Sequence, residues 1–224
     1  MTIAARLASV LEEIRRAEAK ANRAPGSVRL VAVSKTHPAS AIREAYEAGQ
    51  RDFGENYVQE LEEKARELAD LDGIRWHFIG HLQTNKAKVI ARIAHVVHTI
   101  DSAKLAKELG KRAAAESKKL PVLVEVNVGG EAQKSGCAPG DLASVIESIR
   151  AEASLELRGL MTVPPHTDDP EGARPFFRAL RELRERHDGA LPELSMGMTH
   201  DVEIAIAEGA TMVRIGTAIF GPRT

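Results

Sequence analysis

Cysteine is nearly absent from this 224-residue chain: Cys137 stands alone, so no internal disulfide can form and a cross-linked secreted scaffold is excluded. Aromatic residues make up only 4% and the formal net charge is −1, with no basic block. Nucleic-acid binding therefore has neither the charge nor the stacking residues it needs. No apolar run approaches the length of a membrane span. The amino terminus, MTIAARLASVLEEIRRAEAKAN, spreads acids and bases along an amphipathic pattern and lacks the apolar core and cleavage signature of a signal peptide. These absences predict a protein kept in the reducing cytoplasm.

What is present is ordinary in amount and regular in order. With 43% hydrophobic and 28% charged residues, the chain can bury a substantial core, and one domain over residues 1–224 is expected. Strand-like apolar runs lie at Val28 to Ser34, Arg51 to Gly54, Arg75 to Ile79, Val96 to Ile100, Val122 to Asn127, Glu156 to Met161, Glu193 to Ser195 and Thr211 to Ile215. Segments such as PASAIREAYEAG and SAKLAKELGKRAAAESK separate them with apolar residues at helical spacing. Eight alternating units predict the α/β class and a closed parallel (β/α)8, or TIM, barrel; an open doubly wound sheet is the alternative. A helical pattern over Thr2 to Ala21 precedes the first strand, while GTAIFGPRT follows the eighth, so the leading helix is expected to cover the seam after strand eight.

The first strand, LVAVSKTHP, ends on a lysine. The strand period of two puts Lys35 on one face with Val33 and Val31. If that face points into the barrel, the amine rises from an apolar floor. Desolvation there lowers a lysine's pKa and prepares the neutral amine to attack a carbonyl. For an isolated Ser-Lys pair, a lysine reaching into solvent is the default.

The far end of the chain bears on that choice. In LSMGMTHDVEIAIAEGATMVRIGTAIFG, Ser195, Gly197 and Thr199 follow the seventh strand, and Gly216 and Thr217 follow the eighth. Small residues let backbone amides approach an anion, hydroxyls add donors, and these two loops are the recurrent phosphate site of such barrels. Tight turns with a helix cap at Thr199 are the plainer explanation of each loop taken singly. Asp201 and Glu203 read as first-turn helix residues. Arg214, between Val213 and Ile215, needs acceptors that its sequence neighbours do not supply: either a carboxylate across the barrel or a cofactor ring nitrogen. An amine, a phosphate cup and an arginine are the three holds expected for pyridoxal 5′-phosphate.

The segments LVAVSKTHP, DFGENYVQE, WHFIGHLQTNK, VNVGGEAQKSG, RGLMTVPP, SMGMTHDVEIAI and RIGTAIFG resemble the pyridoxal phosphate homeostasis protein family, also called the YggS/PROSC family, in family order from Leu30 to Gly221. The resemblance implies a barrel like the amino-terminal domain of alanine racemase and pyridoxal 5′-phosphate bound as an internal aldimine on Lys35. It further implies phosphate contacts around Ser195, Gly197, Thr199, Gly216 and Thr217, Arg214 near the pyridine nitrogen, and Asn56 beside the cofactor. The family is regarded as buffering and delivering the cofactor, with apoenzymes as recipients and no established reaction; a monomer is expected. Thr199 stands where the family often has serine and keeps the hydroxyl.

The chemistry points the same way. A cationic arginine opposes protonation of the ring nitrogen and weakens the electron sink. Racemases of this fold draw a tyrosine from a further domain, and Tyr46 and Tyr57 are the only tyrosines here. Two other classes stay open: a racemase-like enzyme acting on amino acids, and an aldolase-like barrel whose lysine attacks the substrate carbonyl.

Four other positions have plainer explanations. Asn56 can cap the helix that begins at NYVQELEEK, and His77 can pack in the barrel with His81 to Lys86 forming a surface loop. A metal site is not expected. Cys137 is read as a packing residue. Lys134 is a loop lysine by default and, by the resemblance, a candidate second cofactor contact.

Overall fold

The computed structural model describes residues 1–131, 133–187 and 191–222. Helix α1 (Ile3–Lys20) leads into β1 (Arg29–Val33), α2 (Ala39–Glu47), β2 (Asp52–Glu55), α3 (Val58–Glu67), β3 (Arg75–Phe78) and α4 (Ala87–Ile93). There follow β4 (Val96–Ile100), α5 (Ala103–Ala115), β5 (Leu120–Glu125), α6 (Leu142–Arg150) and β6 (Leu155–Met161). The last elements are α7 (Arg174–Arg186), β7 (Glu193–Ser195), α8 (Val202–Ala207), β8 (Met212–Ile215) and α9 (Thr217–Phe220). The eight strands form a closed barrel in sequence order, every neighbouring pair parallel. Closure is made by β1 against β8, with Leu30 opposite Val213 and Ala32 opposite Ile215. The expected barrel is therefore the observed one, and the open sheet is excluded.

Alternation along the strands sorts the core into two. Phe53, Phe78, Val122, Val124, Leu160 and Val213 face outward and pack against the helices, while Val31, Leu123, Met161 and Met212 meet inside the barrel. The inner apolar cluster is small because much of the interior is polar, as described below. Helix α1 presents Ile3, Leu7, Val10, Ile14 and Ala17 at three- and four-residue spacing to the molecule. It covers the β8 to β1 seam: Arg6 Nε donates to the Ile219 carbonyl at 2.6 Å, and Arg6 Nη2 donates to that of Phe220 at 3.3 Å. Buried Glu18, near its end, accepts from the Gly26 and Val28 amides at 3.0 and 2.7 Å, which fixes the entry into β1. Among the described residues no helix is long and apolar enough to cross a membrane.

Strand five differs from expectation. It begins at Leu120 and stops at Glu125; beyond it Val126 N still donates to Met161 O at 2.9 Å while the chain pairs on its other side with the Cys137 loop, Asn127 N donating to Cys137 O at 2.9 Å. Cys137 is buried there, and burial pushes its thiol up to about 12, so it is a packing residue and a poor nucleophile.

Candidate cofactor site

A cavity of about 340 Å³ opens at the carboxyl ends of the strands, a size usual for small-molecule sites. Lys35, Asn56, Thr199, Arg214, Gly216 and Thr217 all line it. Lys35 follows β1 on the face of Val31, inside the barrel, and Val33, in the cavity wall, so the alternation read from LVAVSK holds. Sequence reading missed five residues that complete the wall, His37, Ile79, Val163, Met198 and His200.

The turn carrying Lys35 is braced from beneath. Lys64, buried on α3, donates from Nζ to the Ser34 carbonyl, Glu55 Oε1 and Glu60 Oε1, each at 2.7 Å. Ser34 Oγ also donates to Glu55 Oε1 at 2.7 Å. Burial pushes the Glu55 carboxyl up, and the charge and hydrogen bonds of Lys64 partly offset this. Thr36, next to Lys35, has φ of 66°, an unfavourable conformation for a β-branched residue. It is held by its amide's bond to Glu60 and by His37 N donating to Ser34 O at 3.1 Å. The spacing of Glu60 and Lys64, one helical turn apart, was the available signal for this cluster.

Asn56 is no helix cap. Helix α3 starts at Val58 with Tyr57 before it, and no side chain caps it. Asn56 instead lines the cavity, and its Oδ1 is buried without a hydrogen-bond partner among the described residues. Gly80 makes this possible, since a Cβ there would stand 2.0 Å from the Asn56 carbonyl oxygen.

Gly197 has φ of 95°, and a Cβ there would meet that of Ala205 at 2.5 Å. It starts a turn closed by Asp201, whose Oδ1 accepts from Met198 N at 2.6 Å. Helix α8 therefore begins at Val202 and not after Thr199, leaving Thr199 exposed at the cavity wall; Asp201 precedes the helix and Glu203 lies in its first turn. Gly197 shapes this wall from behind. Ser195 is fully buried inside the barrel and is not part of the wall; its hydroxyl is held by Arg214 and His98.

Arg214, 4% exposed, donates from Nη1 to Ser195 Oγ at 2.7 Å and from Nη2 to the Thr162 carbonyl at 2.9 Å. The sequence had suggested a carboxylate across the barrel as one partner, and the geometry supplies a hydroxyl and a carbonyl. Burial lowers its pKa to about 10, against the pull of Glu125 and Asp201, so it remains a cation at neutral pH.

Glu125 ends β5 with Oε2 unpartnered among the described residues, and burial pushes its carboxyl up to about 7. A folded pKa above the ordinary 4.5 adds stability in acid that is lost as pH rises through about 7. Glu125→Gln should match the parent near pH 5 and exceed it at pH 8 by up to roughly 3 kcal/mol. Urea denaturation at both pH values checks this; a gain independent of pH would refute it.

Lys134 stands outside the wall, its Nζ donating to the Pro164 carbonyl at 2.9 Å and pairing with Glu131 at 2.6 Å. Pro164 adjoins Val163 of the cavity rim. His77 packs inside the barrel and His81 lies at the surface, so the two do not converge.

The family described as "Alanine racemase, N-terminal domain" matches residues 6–224. The pyridoxal phosphate homeostasis protein of Pseudomonas aeruginosa is 50% identical over 222 residues, covering 99% of this chain and 96% of that protein. That of Escherichia coli K12 is 44% identical over 227 residues, covering 99% and 97%. The solved structure of PipY of Synechococcus elongatus PCC7942 with PLP bound is 38% identical, with a TM-score of 0.85 over 98% of this chain and 100% of that one. An alanine racemase of Clostridium difficile shares the fold at a TM-score of 0.75 and 12% identity, over 96% of this chain and 56% of that one.

Proposed function

This chain belongs to the pyridoxal phosphate homeostasis protein family, and from that premise we propose that residues 1–224 form one cytoplasmic, monomeric domain that holds pyridoxal 5′-phosphate on Lys35 and keeps and delivers it with little catalysis of its own. The observation that carries the reading is one cavity with three chemically distinct walls. They are the Lys35 amine, the Arg214 guanidinium, and the hydroxyl and glycine edge of Thr199, Gly216 and Thr217. Asn56 Oδ1, buried and unpartnered, is an acceptor awaiting a donor, which fits a polar ligand at that spot.

When bound, the cofactor supplies an electrophilic carbon and, if its ring nitrogen is protonated, an electron sink. The rest is done by the chain. Lys35 Nζ would be the group that holds the cofactor, reversibly, through its aldehyde, leaving it free to pass to the lysine of a recipient apoenzyme. Thr199 and Thr217 would offer hydroxyl donors to its phosphate. Arg214 would serve the ring nitrogen as a cation and so disfavour its protonation. Neither tyrosine supports proton transfer in the cavity: Tyr46 Oη donates to the Asp72 carbonyl at 2.8 Å, and Tyr57 is not in the cavity wall.

The test is the visible spectrum of the protein with added pyridoxal phosphate, then borohydride reduction and peptide mapping by mass spectrometry. A reduced adduct on the Lys35 peptide supports the reading; a silent spectrum with Lys35 unmodified would overturn it. For Lys134, at the rim, Lys134→Ala should change the rate of loading or transfer by a few-fold while leaving the Lys35 adduct intact. Unchanged kinetics would remove it from the route.

A further inference from the structure

A single hydrogen-bonded chain crosses the barrel interior, from the amino-terminal end of the strands to the cavity. Asp52, first residue of β2, is paired bidentately with Arg75, first residue of β3, at 2.8 and 2.5 Å. Asp52 Oδ1 lies 2.8 Å from His77 Nε2, His77 Nδ1 lies 2.9 Å from His98 Nε2, and His98 Nδ1 lies 2.9 Å from Ser195 Oγ. Arg214 Nη1 completes the chain at 2.7 Å from Ser195 Oγ. His77, His98 and Ser195 are fully buried, and Arg214 reaches the cavity wall.

The direction of every bond follows from what each group can do. Arg214 has only donors, so Ser195 Oγ accepts from it, and the buried hydroxyl proton is satisfied by its other partner, His98 Nδ1. That nitrogen is then unprotonated, which puts the His98 proton on Nε2, aimed at His77 Nδ1. His77 in turn carries its proton on Nε2, aimed at Asp52. The Asp52 end leads to the same answer independently. Burial pushes its carboxyl up, but hydrogen bonds from His77 and Arg75 hold it at about 2, so it is an acceptor only. Burial likewise drives the His98 pKa well below the ordinary value, consistent with a neutral ring.

We propose that Asp52, His77, His98 and Ser195 are positioning residues, a one-way relay that fixes the Arg214 guanidinium toward the cavity and couples it to the Asp52–Arg75 pair at the opposite end of the barrel. The functional part rests on the cofactor reading given above. With all its donors aimed away from the cavity, the relay has no proton to release at Arg214. A ring nitrogen meeting Arg214 is thereby kept unprotonated, which suits a carrier and handicaps a catalyst.

The test begins on the cofactor-free protein, by two-bond ¹H–¹⁵N correlation of its histidine rings at neutral pH. His77 and His98 are expected as Nε2–H tautomers; a proton on Nδ1 of either ring, or a doubly protonated ring, would overturn the relay. Asp52→Asn introduces an amide that can donate to His77 Nε2 and reverse the chain. It should alter both tautomers, shift the absorption maximum of the loaded protein and weaken retention of pyridoxal phosphate by roughly three- to tenfold. Unchanged tautomers and an unchanged loaded spectrum would defeat the proposal. If Asp52→Asn does not fold, Ser195→Ala cuts the relay beside Arg214: both tautomers, still set from the Asp52 end, should stay as they are while the loaded spectrum shifts, and an unchanged loaded spectrum would likewise defeat the proposal. Failure of the unsubstituted protein to take up cofactor would remove the functional reading alone, since the tautomers are read without it.

Discussion

Lys35→Ala is expected to abolish the borohydride-reducible adduct completely and to speed cofactor loss on dilution by at least ~100-fold. The reasoning is geometric. Lys35 is the lysine in the wall of the cavity, on the inward face continued from Val31 and Val33, and its turn is locked by Lys64, Glu55 and Glu60. Held in place, the amine meets a bound aldehyde intramolecularly, which is where the large rate and affinity advantage arises. Thr199, Gly216, Thr217 and Arg214 are untouched by the substitution, so weak, dialysable binding should persist. Lys35→Arg should not rescue the adduct, because a guanidinium stays protonated and cannot act as the nucleophile. Dialysis followed by absorbance, with reduction and peptide mapping, measures both effects. An adduct that moves to Lys134 or another lysine in Lys35→Ala would show that the cavity does not select its amine.

Much of this was legible in the sequence, because it depended on local periods. Eight strand patterns, the seam helix and the facing of Lys35 follow from alternation of two and of 3.6 along contiguous residues. Six of the eight expected cofactor-site residues meet in one cavity for a related reason: barrel strands present their carboxyl ends together. What was illegible involves partners distant in sequence. Asp52, His77, His98, Ser195 and Arg214 come from five different strands, and no spacing along the chain announces that they touch. His77 was expected to pack in the barrel, but its two neighbours there were not foreseen. For Asn56 the residue type also allowed a cap, and what set that plainer explanation aside, the start of α3 at Val58 and the close approach to Gly80, is a consequence of where β2 ends. A cap at Thr199 was likewise the plainer alternative to a phosphate contact, and the Asp201 turn places the start of α8 beyond it.

The cluster under Lys35 offers the sharpest test of how stability and function are joined. Lys64→Met removes the only cation bonded to Glu55 among the described residues; Glu55 is fully buried and its other oxygen, Oε2, already has no partner among them. Breaking a buried pair from one side leaves an uncompensated charge and costs about 3–5 kcal/mol. The pH dependence has a definite sign. Burial raises the Glu55 pKa, and losing Lys64 raises it further, so the variant binds a proton more tightly when folded than unfolded. Its deficit should therefore be smallest in acid and grow as pH rises through the folded pKa of Glu55. Glu55→Gln added to Lys64→Met removes the charge and should recover much of the loss, giving a strong coupling in a double-mutant cycle. The same substitution also frees the Ser34 carbonyl and loosens the strained Thr36 turn, so Lys35 should load more slowly even at a pH where the fold is intact. Denaturation at pH 5 and pH 8, with loading kinetics of each variant, separates the two effects. A deficit that is flat with pH, or is not relieved by Glu55→Gln, would mean that Lys64 acts through packing alone and that the turn under Lys35 owes its shape to something else.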